Sequence, residues 1–458
     1  MGGYPGNSPA QRHPAVARNT EPVAIVGDVA PFLQAKAELT TARVRWWAIA
    51  AAWLLLILWL TLRSAPDQAV RVADLPWYCV LCGEAGVADV LLNVLLFAPL
   101  GIAARALQLP RWRAFAVAVV LTIAIETTQW FLLVGRDGSL GDVLANSAGA
   151  VLGWLAYSPL CRMARPTRAL ARRGTWVVFV VATVVWFTTG FGLQPSLSEA
   201  TPWVGQIQHH WPGHDAFAGT IERVDINGVA VPNDPIASPL PPHDTVALHI
   251  ALTRSGAPLP RRRASMVRIV DANGHPQVAI TASGADVVTE LQLRASRWGF
   301  HTPEWMYHGA MMVPVRQRWQ VTARWTPARV ELATADSAGA HAVMRSHPLS
   351  IALGWVFVHP FVTIVGSNVH LWNYLWLAGW FGLLGWFSGV LGWRAFGIAA
   401  LAQLLVLVVA ASVTGAPWHP DELLAAMLAC GLTATVARRR SVAPPSRGLP
   451  ATATISSG

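Results

Sequence analysis

Polar and ionisable side chains interrupt the long apolar segments of this sequence at three places. They are Asp89 with Asn93, Glu126 with Gln129, and Asp142 with Asn146. Residues three or four apart lie on one face of an α-helix, so each pair predicts a polar helix face. Such side chains cost roughly 2.5–3.5 kcal/mol at the centre of a membrane helix and generally mark function there. We therefore expect three polar faces to meet inside one bundle, where they can bind a polar group or a cation, or transfer a proton.

The composition indicates a polytopic membrane protein. The 458 residues are 53% hydrophobic and only 13% charged, with a mean hydropathy of +0.41, which is unusual for a soluble protein of this length. The net charge of +10 comes mainly from arginines beside apolar segments, at Arg111 and Arg113, Arg162 to Arg173, and Arg438 to Arg440. This is the positive-inside pattern of cytoplasmic loops and does not indicate a nucleic-acid partner.

Five membrane spans are predicted in the first part of the chain. Residues 1–43 are polar and rich in Pro and Gly, and predict a disordered cytoplasmic tail. The apolar segments that follow are Trp46–Leu62, Ala88–Ala106, Ala114–Val134, Val143–Leu160 and Thr175–Leu193. Because the arginines follow the second and fourth of these segments, the N-terminal side is expected to be cytoplasmic.

Residues 194–348 change to short alternating segments, typical of an all-β domain. The clearest are Ile221–Val231, Thr245–Leu252, Met266–Val270, Val278–Thr281, Val287–Leu293, Trp319–Trp325 and Val330–Ala333. Asn227 and Gly228 interrupt the first of these segments, and Asp271–Gly274, between two alternating segments, predicts a hairpin turn. After five spans this domain would be extracytoplasmic, and seven or more strands favour a β-sandwich.

The chain then returns to the membrane. Residues 349–437 predict an interfacial segment and three spans, at Leu371–Leu391, Ala395–Val413 and Leu423–Val436. Leu349–Val365 is apolar and nearly long enough to cross, but crossing would put Arg438 to Arg440 outside, so we interpret it as interfacial or as the end of the β domain. Residues 438–458 predict a disordered basic cytoplasmic tail. The expected fold is therefore a polytopic α-helical membrane protein of about eight spans with an inserted extracytoplasmic all-β sandwich and both termini cytoplasmic.

Four motifs in the first spans resemble the VanZ-like family, over about residues 45–160. They are Ala88–Gly101 (ADVLLNVLLFAPLG), Ile125–Gln129 (IETTQ), Arg136-Asp137 and Asp142–Gly153 (DVLANSAGAVLG). The resemblance implies a bacterial protein of the cell envelope and, for the founding members, low-level tolerance of the glycopeptide teicoplanin; it implies no known reaction. The strand pattern of residues 200–345 more weakly resembles a concanavalin or laminin-G sandwich.

The polar residues of the bundle form the candidate ligand-binding cluster. Its members are Asp89, Asn93, Glu126, Gln129, Arg136, Asp142 and Asn146. All are predicted in the outer half of the membrane, with Glu126 about 12 Å below the outer surface at about 1.5 Å per residue. Three carboxylates against one arginine predict that Glu126 is protonated or binds a cation.

Four interpretations of this cluster remain open. The polar groups can simply join helices, with Gly149 and Gly153 providing the small-residue spacing of close helix packing. They can instead bind a lipid headgroup or another amphiphilic envelope molecule, because the cluster opens toward the envelope. Glu126 can be the acid or base of a membrane enzyme, or part of a proton or ion path.

Cysteine and histidine residues add two further candidate sites. Cys79 and Cys82 lie in a predicted outer loop, where an oxidising compartment favours a disulfide; a redox pair is the alternative, and two cysteines alone make an incomplete zinc site. His209, His210, His214 and Asp215 have the composition of metal ligands, but their spacing matches no zinc motif, so no metal is predicted. Trp298, Trp305 and Tyr307 could stack on sugars or pack in a core.

The expected function follows from these patterns. The sequence contains no nucleotide-binding loop, serine-hydrolase elbow or zinc-protease motif, so no cofactor is predicted and no enzyme class is indicated. We predict a multi-pass protein of the bacterial inner membrane that binds a lipid-linked or glycan component of the envelope. Its partners would be membrane lipids and an envelope glycan or lipid-linked precursor. The alternative is a membrane enzyme that modifies such a molecule with Glu126 as acid or base.

Overall fold

The computed structural model describes residues 29–63, 76–81, 85–133, 138–198, 202–210, 214–233, 235–236, 245–336, 343–359, 363–365 and 368–442. Within these ranges the helices are α1 (Val29–Thr61), α2 (Gly86–Ala106), α3 (Arg111–Leu132), α4 (Leu140–Met163), α5 (Arg168–Gly192), the short α6 (Arg294–Arg297), α7 (Asn368–Leu391), α8 (Trp393–Thr414) and α9 (Pro420–Val442). A β domain lies between α5 and α7 and includes α6.

The long helices confirm a polytopic membrane protein. Seven of them, α1, α2, α3, α5, α7, α8 and α9, are long and apolar enough to cross a membrane. The remaining long helix, α4, carries several of the polar residues singled out above. Near its start the Gly141 amide donates to the Cys79 carbonyl oxygen at 3.1 Å. At its other end the Trp154 indole donates to the Leu109 carbonyl oxygen, in the α2–α3 connection, at 3.0 Å. α4 therefore runs from one end of the bundle to the other.

Both predicted tails overlap helices in the structure. α1 begins at Val29, so residues 29–43 of the predicted N-terminal tail are helical. α9 continues through Arg440 to Val442, beyond the predicted boundary at residue 438. Residues 1–28 and 443–458 lie outside the described ranges.

α2 and α4 pack with their backbones in direct contact. A Cβ atom added to Gly101 would lie 1.9 Å from the carbonyl oxygen of Ala150, and one added to Gly153 would lie 1.9 Å from that of Ala98. A Cβ on Gly149 would lie 2.4 Å from the Val94 carbonyl oxygen. Small residues permit this approach, which brings polar side chains on the two helices within hydrogen-bonding distance.

The β domain consists of two sheets. The strands are β1 (Trp203–Ile207), β2 (Gly219–Ile226), β3 (Val229–Ala230), β4 (Pro235–Ile236), β5 (Val246–Arg254), β6 (Arg263–Val270), β7 (Pro276–Ser283), β8 (Asp286–Leu291), β9 (Glu304–Tyr307), β10 (Arg318–Trp325), β11 (Arg329–Asp336), β12 (Val343–Pro348) and β13 (Thr363–Val365). The seven-stranded sheet has the order β13-β9-β8-β7-β6-β1-β4, and the six-stranded sheet has the order β12-β11-β10-β5-β2-β3. Neighbouring strands are antiparallel except for β13 and β9.

One hydrophobic core joins the two sheets. Leu248 and Ile250 of β5 belong to the same buried cluster as Ile269 of β6 and Ile280 of β7, so the sheets pack face to face. The prediction of an inserted all-β domain is confirmed. Trp305 and Tyr307 are buried in this core, whereas the Trp298 side chain is partly exposed.

The interruption at Asn227-Gly228 is a turn in the structure, and the predicted turn at Asp271–Gly274 is present. Asn227 and Gly228 have positive φ angles of 48° and 81° between β2 and β3, as a tight hairpin requires. Between β6 and β7, the Asp271 carboxylate accepts the amides of Asn273 and His275 at 2.9 and 3.0 Å, and Gly274 has a φ of 80°. The side chain of Asp271 therefore stabilises its own turn.

The apolar segment before α7 belongs to the β domain. Ile351–Val358 forms a 3₁₀ helix whose residues Leu353, Val356 and Phe357 are part of the sandwich core. An eight-residue 3₁₀ helix is too short to cross a membrane. β13 then adds a parallel strand beside β9.

The β domain contacts one end of the helix bundle, and arginines mark the other. The Gly299 carbonyl oxygen accepts the amides of Val87 and Ala88 at the start of α2, both at 3.0 Å. Gln194 Nε2 donates to the carbonyl oxygen of Thr414, the last residue of α8, at 2.9 Å. At the opposite end, guanidinium groups lie over tryptophan rings in four pairs, Arg105 with Trp154, Arg113 with Trp112, Arg438 with Trp393, and Arg440 with Trp386. A fifth pair, Arg63 with Trp59, lies at the end of α1, on the side of the β domain.

Candidate functional site

A hydrogen-bonded pair joins α2 to the first turn of α4. Ser139 is the N-cap of α4, and its hydroxyl accepts the Asp142 amide at 3.0 Å. The Asp142 carboxylate in turn accepts a hydrogen bond from the side-chain amide of Asn93. These residues were expected on facing helix surfaces, and the structure brings them together.

Glu126 lies against the loop that leads into α4. Its side chain is almost fully buried, with 8% of the residue exposed, and Oε2 accepts the backbone amide of Ser139 at 3.1 Å. A Cβ atom on Gly138 would lie 2.5 Å from the Glu126 carbonyl oxygen, so only glycine permits the loop to approach α3 this closely. The backbone of the loop therefore orients the carboxylate.

Gln129 caps a neighbouring helix. Its Nε2 donates to the carbonyl oxygen of Thr61, the last residue of α1, at 2.9 Å. The last carbonyl groups of a helix have no partner within that helix, so this hydrogen bond satisfies a carbonyl group at the end of α1 and joins α3 to α1.

Asn146 lies deeper in the bundle, beside two polar residues that the sequence interpretation missed. Its Nδ2 donates to the hydroxyl of Thr122 at 2.8 Å, and Thr122 is fully buried. Because Thr122 and Glu126 are four residues apart on α3, Asn146 lies about one turn from the Glu126 carboxylate. Asn146 Oδ1 and the hydroxyl of the adjacent Ser147 are buried and have no hydrogen-bond partner among the described residues. Thr122 precedes Glu126 by four residues, and this spacing could have indicated from the sequence that Thr122 shares the polar face of α3.

Asp89 does not belong to this buried cluster. Its side chain is 53% exposed and lies 3.7 Å from Nε2 of His301, in the β domain. Burial lowers the pKa of His301 below its ordinary value of 6.5, and the nearby His359 lowers it further. Asp89 is thus at the junction of bundle and β domain. Arg136, the predicted counter-charge, lies outside the described ranges.

The other candidate sites have local structural roles in the described residues. Cys79 is disulfide-bonded, Cys82 lies outside the described ranges, and Cys161 and Cys430 are free thiols. The Asp215 carboxylate accepts the amides of Arg261 and Arg262 at 2.7 and 2.8 Å, and these hydrogen bonds lower its pKa. Across the ranges that the structure describes, no three His, Cys, Asp or Glu residues are grouped as metal ligands would be.

A second buried carboxylate joins the C-terminal helices to the β domain. Glu422, in the first turn of α9, is 1% exposed. It accepts hydrogen bonds from Asn373 Nδ2 at 2.6 Å and from the Ser350 hydroxyl. Asn373 Oδ1 accepts the Trp355 indole at 2.8 Å. In the sequence, Asp421 and Glu422 indicated only a favourable helix start, because the partners of Glu422 lie far away along the chain.

Comparison with known proteins assigns the first part of the chain. Residues 49–162 match the VanZ/LLP1 family, which agrees with the resemblance carried by the polar motifs. No curated protein matches the chain, and no solved structure does, so the predicted likeness of the β domain to a concanavalin sandwich has no support. The matched segment contains residues 49–61 of α1 together with α2, α3 and nearly all of α4, which hold the buried polar cluster. Residues 49–162 of this integral membrane protein are therefore similar to the VanZ/LLP1 family, and we call this segment the VanZ/LLP1 domain; further membrane helices and an inserted β domain follow it.

Proposed function

We propose that the VanZ/LLP1 domain binds a lipid-linked or glycan component of the bacterial cell envelope and thereby contributes to glycopeptide tolerance. The observation that carries this proposal is the pair of buried atoms that have no hydrogen-bond partner in the described part of the chain, Asn146 Oδ1 and Ser147 Oγ. Asn146 lies about one helical turn from Glu126, because it bonds to Thr122. A buried polar atom without a hydrogen bond costs about 1–3 kcal/mol. A ligand that brings hydroxyl or amide groups to these atoms would recover that free energy and would be selected over an apolar lipid tail.

The distribution of charge supports an orientation in the bacterial inner membrane. Positive side chains favour the cytoplasmic side of a membrane, and four of the five guanidinium–tryptophan pairs in the described residues lie at the end of the bundle opposite the β domain. In this orientation both termini are cytoplasmic and the β domain is extracytoplasmic. Glu126 and Asp142 then lie toward the envelope side, where lipid-linked glycans are displayed.

A membrane enzyme that modifies the same class of molecule is the second candidate function. The observation in its favour is the hydrogen bond from the Ser139 amide to Glu126 Oε2, at 3.1 Å, which holds a buried carboxylate in one orientation. A carboxylate placed in this way could donate or accept a proton at a bound glycosidic or phosphate oxygen.

Analysis of co-purified molecules tests binding. The full-length protein would be extracted from native membranes into nanodiscs, and retained lipids and glycans identified by mass spectrometry. We expect the wild type to retain one envelope amphiphile near equal molar amount, and Asn146→Leu and Glu126→Gln to lose it. Thr128→Val, which changes a half-buried position on the same helix whose hydroxyl donates only to the Ala124 carbonyl oxygen of that helix, should retain it. Equal retention by all four proteins would refute binding at the cluster. If the wild type instead converts the retained molecule, added back in labelled form, into a product, the enzyme is favoured.

A further inference from the structure

The β domain contains a polar cleft at the end that contacts the helices. Its volume is about 430 Å³, and its lining includes Asp271, Asn273, His275, Glu290, Gln292 and Arg297. The cleft lies between the β6–β7 turn and the segment that follows β8. It is separate from the buried cluster of the VanZ/LLP1 domain.

The groups that line this cleft suit hydroxyl-rich ligands. Carboxylates, amides and the hydroxyls of Ser198 and Thr302 alternate along its wall, and two carboxylates stand against one guanidinium. That excess of acceptors disfavours phosphate and carboxylate ligands but suits sugar hydroxyls, each of which donates one hydrogen bond. Gln292 Oε1 is buried in this lining and has no hydrogen-bond partner among the described residues, so a ligand hydroxyl that reached it would satisfy an unpaired acceptor.

Part of the cleft is held in place before any ligand arrives. The Asp271 carboxylate is fixed by the backbone amides of Asn273 and His275. The backbone amide of Gln292 donates to the backbone carbonyl oxygen of Gln277 at 2.8 Å. A preorganised wall lowers the entropic cost of binding a flexible saccharide.

The position of the cleft connects it to the membrane. Gly299 lines the cleft, and its carbonyl oxygen accepts the first amides of α2, a candidate membrane span. A Cβ atom on Gly299 would lie 2.9 Å from Val87 Cγ2, so the cleft wall and the helix start are in contact. A glycan attached to a membrane lipid could therefore reach the cleft while its lipid stays in the bilayer.

We propose that this cleft binds a neutral saccharide, either free or as the headgroup of a lipid-linked glycan. This inference rests on the proposed function only in taking the ligand from the envelope, since the cleft and the bundle cluster share no residue. The two can consequently fail independently.

Binding of defined saccharides to the full-length protein in nanodiscs tests the inference. The probes are a panel of neutral oligosaccharides that includes the N-acetylglucosamine tetramer, and a polyprenyl-diphosphate-linked N-acetylglucosamine built into the nanodisc. We expect saturable binding of at least one probe, with the dissociation constant raised about tenfold or more by Gln292→Leu. Asn273→Ala, at an exposed position of the cleft, should weaken binding in the same direction and is less disruptive to folding.

The control and the two sources of ligand are read from the same experiment. His249→Ala, on the exposed face of the six-stranded sheet, should bind as the wild type does. Binding of the soluble panel supports a free glycan, and binding of only the lipid-linked probe supports a lipid-linked one. Absence of saturable binding to every probe, or unchanged binding in both cleft variants, would overturn the inference. Asn146→Leu should leave saccharide binding unchanged, which separates this result from the test of the bundle.

Discussion

At the scale of single residues, the polar side chains of the VanZ/LLP1 domain divide into two groups. Asn93, Gln129 and Asp142 make hydrogen bonds that join one helix to another. Asn146 and Ser147 each retain a buried atom that has no hydrogen-bond partner within the described ranges. The first group accounts for packing, and the second group is the one to which function is assigned.

Stability should separate these groups. Gln129→Leu removes the partner of the Thr61 carbonyl oxygen, and we expect a loss of about 1 kcal/mol in the free energy of unfolding. Asn146→Leu also removes one hydrogen bond, but it removes an unpaired buried acceptor as well, so its loss should be smaller. Unfolding by graded sodium dodecyl sulfate in mixed micelles measures both. A larger loss for Asn146→Leu than for Gln129→Leu would mean that Asn146 is chiefly structural.

The burial of His301 at the junction of the β domain and the helices should make stability depend on pH. The folded pKa of His301 lies below the unfolded value of 6.5, so the unfolded chain binds the proton more readily. Stability from this residue is therefore fully present above pH 6.5 and is lost as the pH falls below it. The melting temperature should decrease between pH 7.5 and pH 5.5, and this decrease should be smaller in His301→Gln than in wild type. The control His249→Gln should show the wild-type decrease. A decrease in His301→Gln equal to that of wild type would contradict the role of His301 in this pH dependence.

Helix spacing predicted the neighbours of the cluster but not all of its geometry. Three polar helix faces in one bundle account for the contact of Asn93 with Asp142 and for that of Glu126 with the loop before α4. The exposure of Asp89 could not be predicted, because its neighbour His301 belongs to the β domain. For the same reason the burial of Glu422 by Ser350 and Asn373 left no signal in the local sequence.

At the scale of elements, α2 and α4 are held together by backbone contact at glycines. Gly153→Ala should destabilise the protein by about 1–3 kcal/mol, because its Cβ would lie 1.9 Å from the Ala98 carbonyl oxygen. Gly397→Ala in α8 is the matched control, since a Cβ there meets nothing within 4 Å and alanine raises helix propensity. Unfolding in mixed micelles should therefore rank Gly153→Ala below wild type and Gly397→Ala at or above it. The opposite ranking would disprove the close packing.

The junction between the β domain and α9 depends on a buried carboxylate. Asn373→Ala removes a hydrogen bond to Glu422 and one from Trp355, so we expect a loss of about 2 kcal/mol or more. Tyr374→Phe removes only an exposed hydrogen bond to Asp421 and should cost about 0–1 kcal/mol. Limited proteolysis of the native protein measures loosening of this junction. Equal protease resistance in Asn373→Ala and wild type would show that the network is dispensable.

The segment Ile351–Val358 shows why element prediction from hydropathy is incomplete. Its residues are as apolar as those of a membrane span, yet they complete the core of the β-sandwich. Burial in a protein core and burial in lipid select the same side chains, so in the sequence only the arginines Arg438 to Arg440, at the end of α9, argued against a crossing.

At the scale of the whole molecule, α1 to α5 bring the chain to the β domain at one end of the bundle, and four of the five arginine–tryptophan pairs in the described residues lie at the other. Reporter fusions after Pro110 and after Arg173 should therefore score cytoplasmic, and fusions within residues 220–334 should score extracytoplasmic. A cytoplasmic signal from the β domain would reverse the proposed orientation and move the polar cluster to the wrong side for an envelope ligand.

The central claim is that the buried cluster of the VanZ/LLP1 domain acts on an envelope molecule and does more than join helices. Glu126→Gln tests it most directly, because a glutamine oxygen can still accept the Ser139 amide while the charge is removed. In a deletion strain complemented at equal protein level, teicoplanin tolerance would be measured for wild type, Glu126→Gln and the control Thr128→Val. We predict that Glu126→Gln accumulates normally but fails to restore tolerance, whereas Thr128→Val restores it. Full restoration by normally accumulated Glu126→Gln would contradict the account.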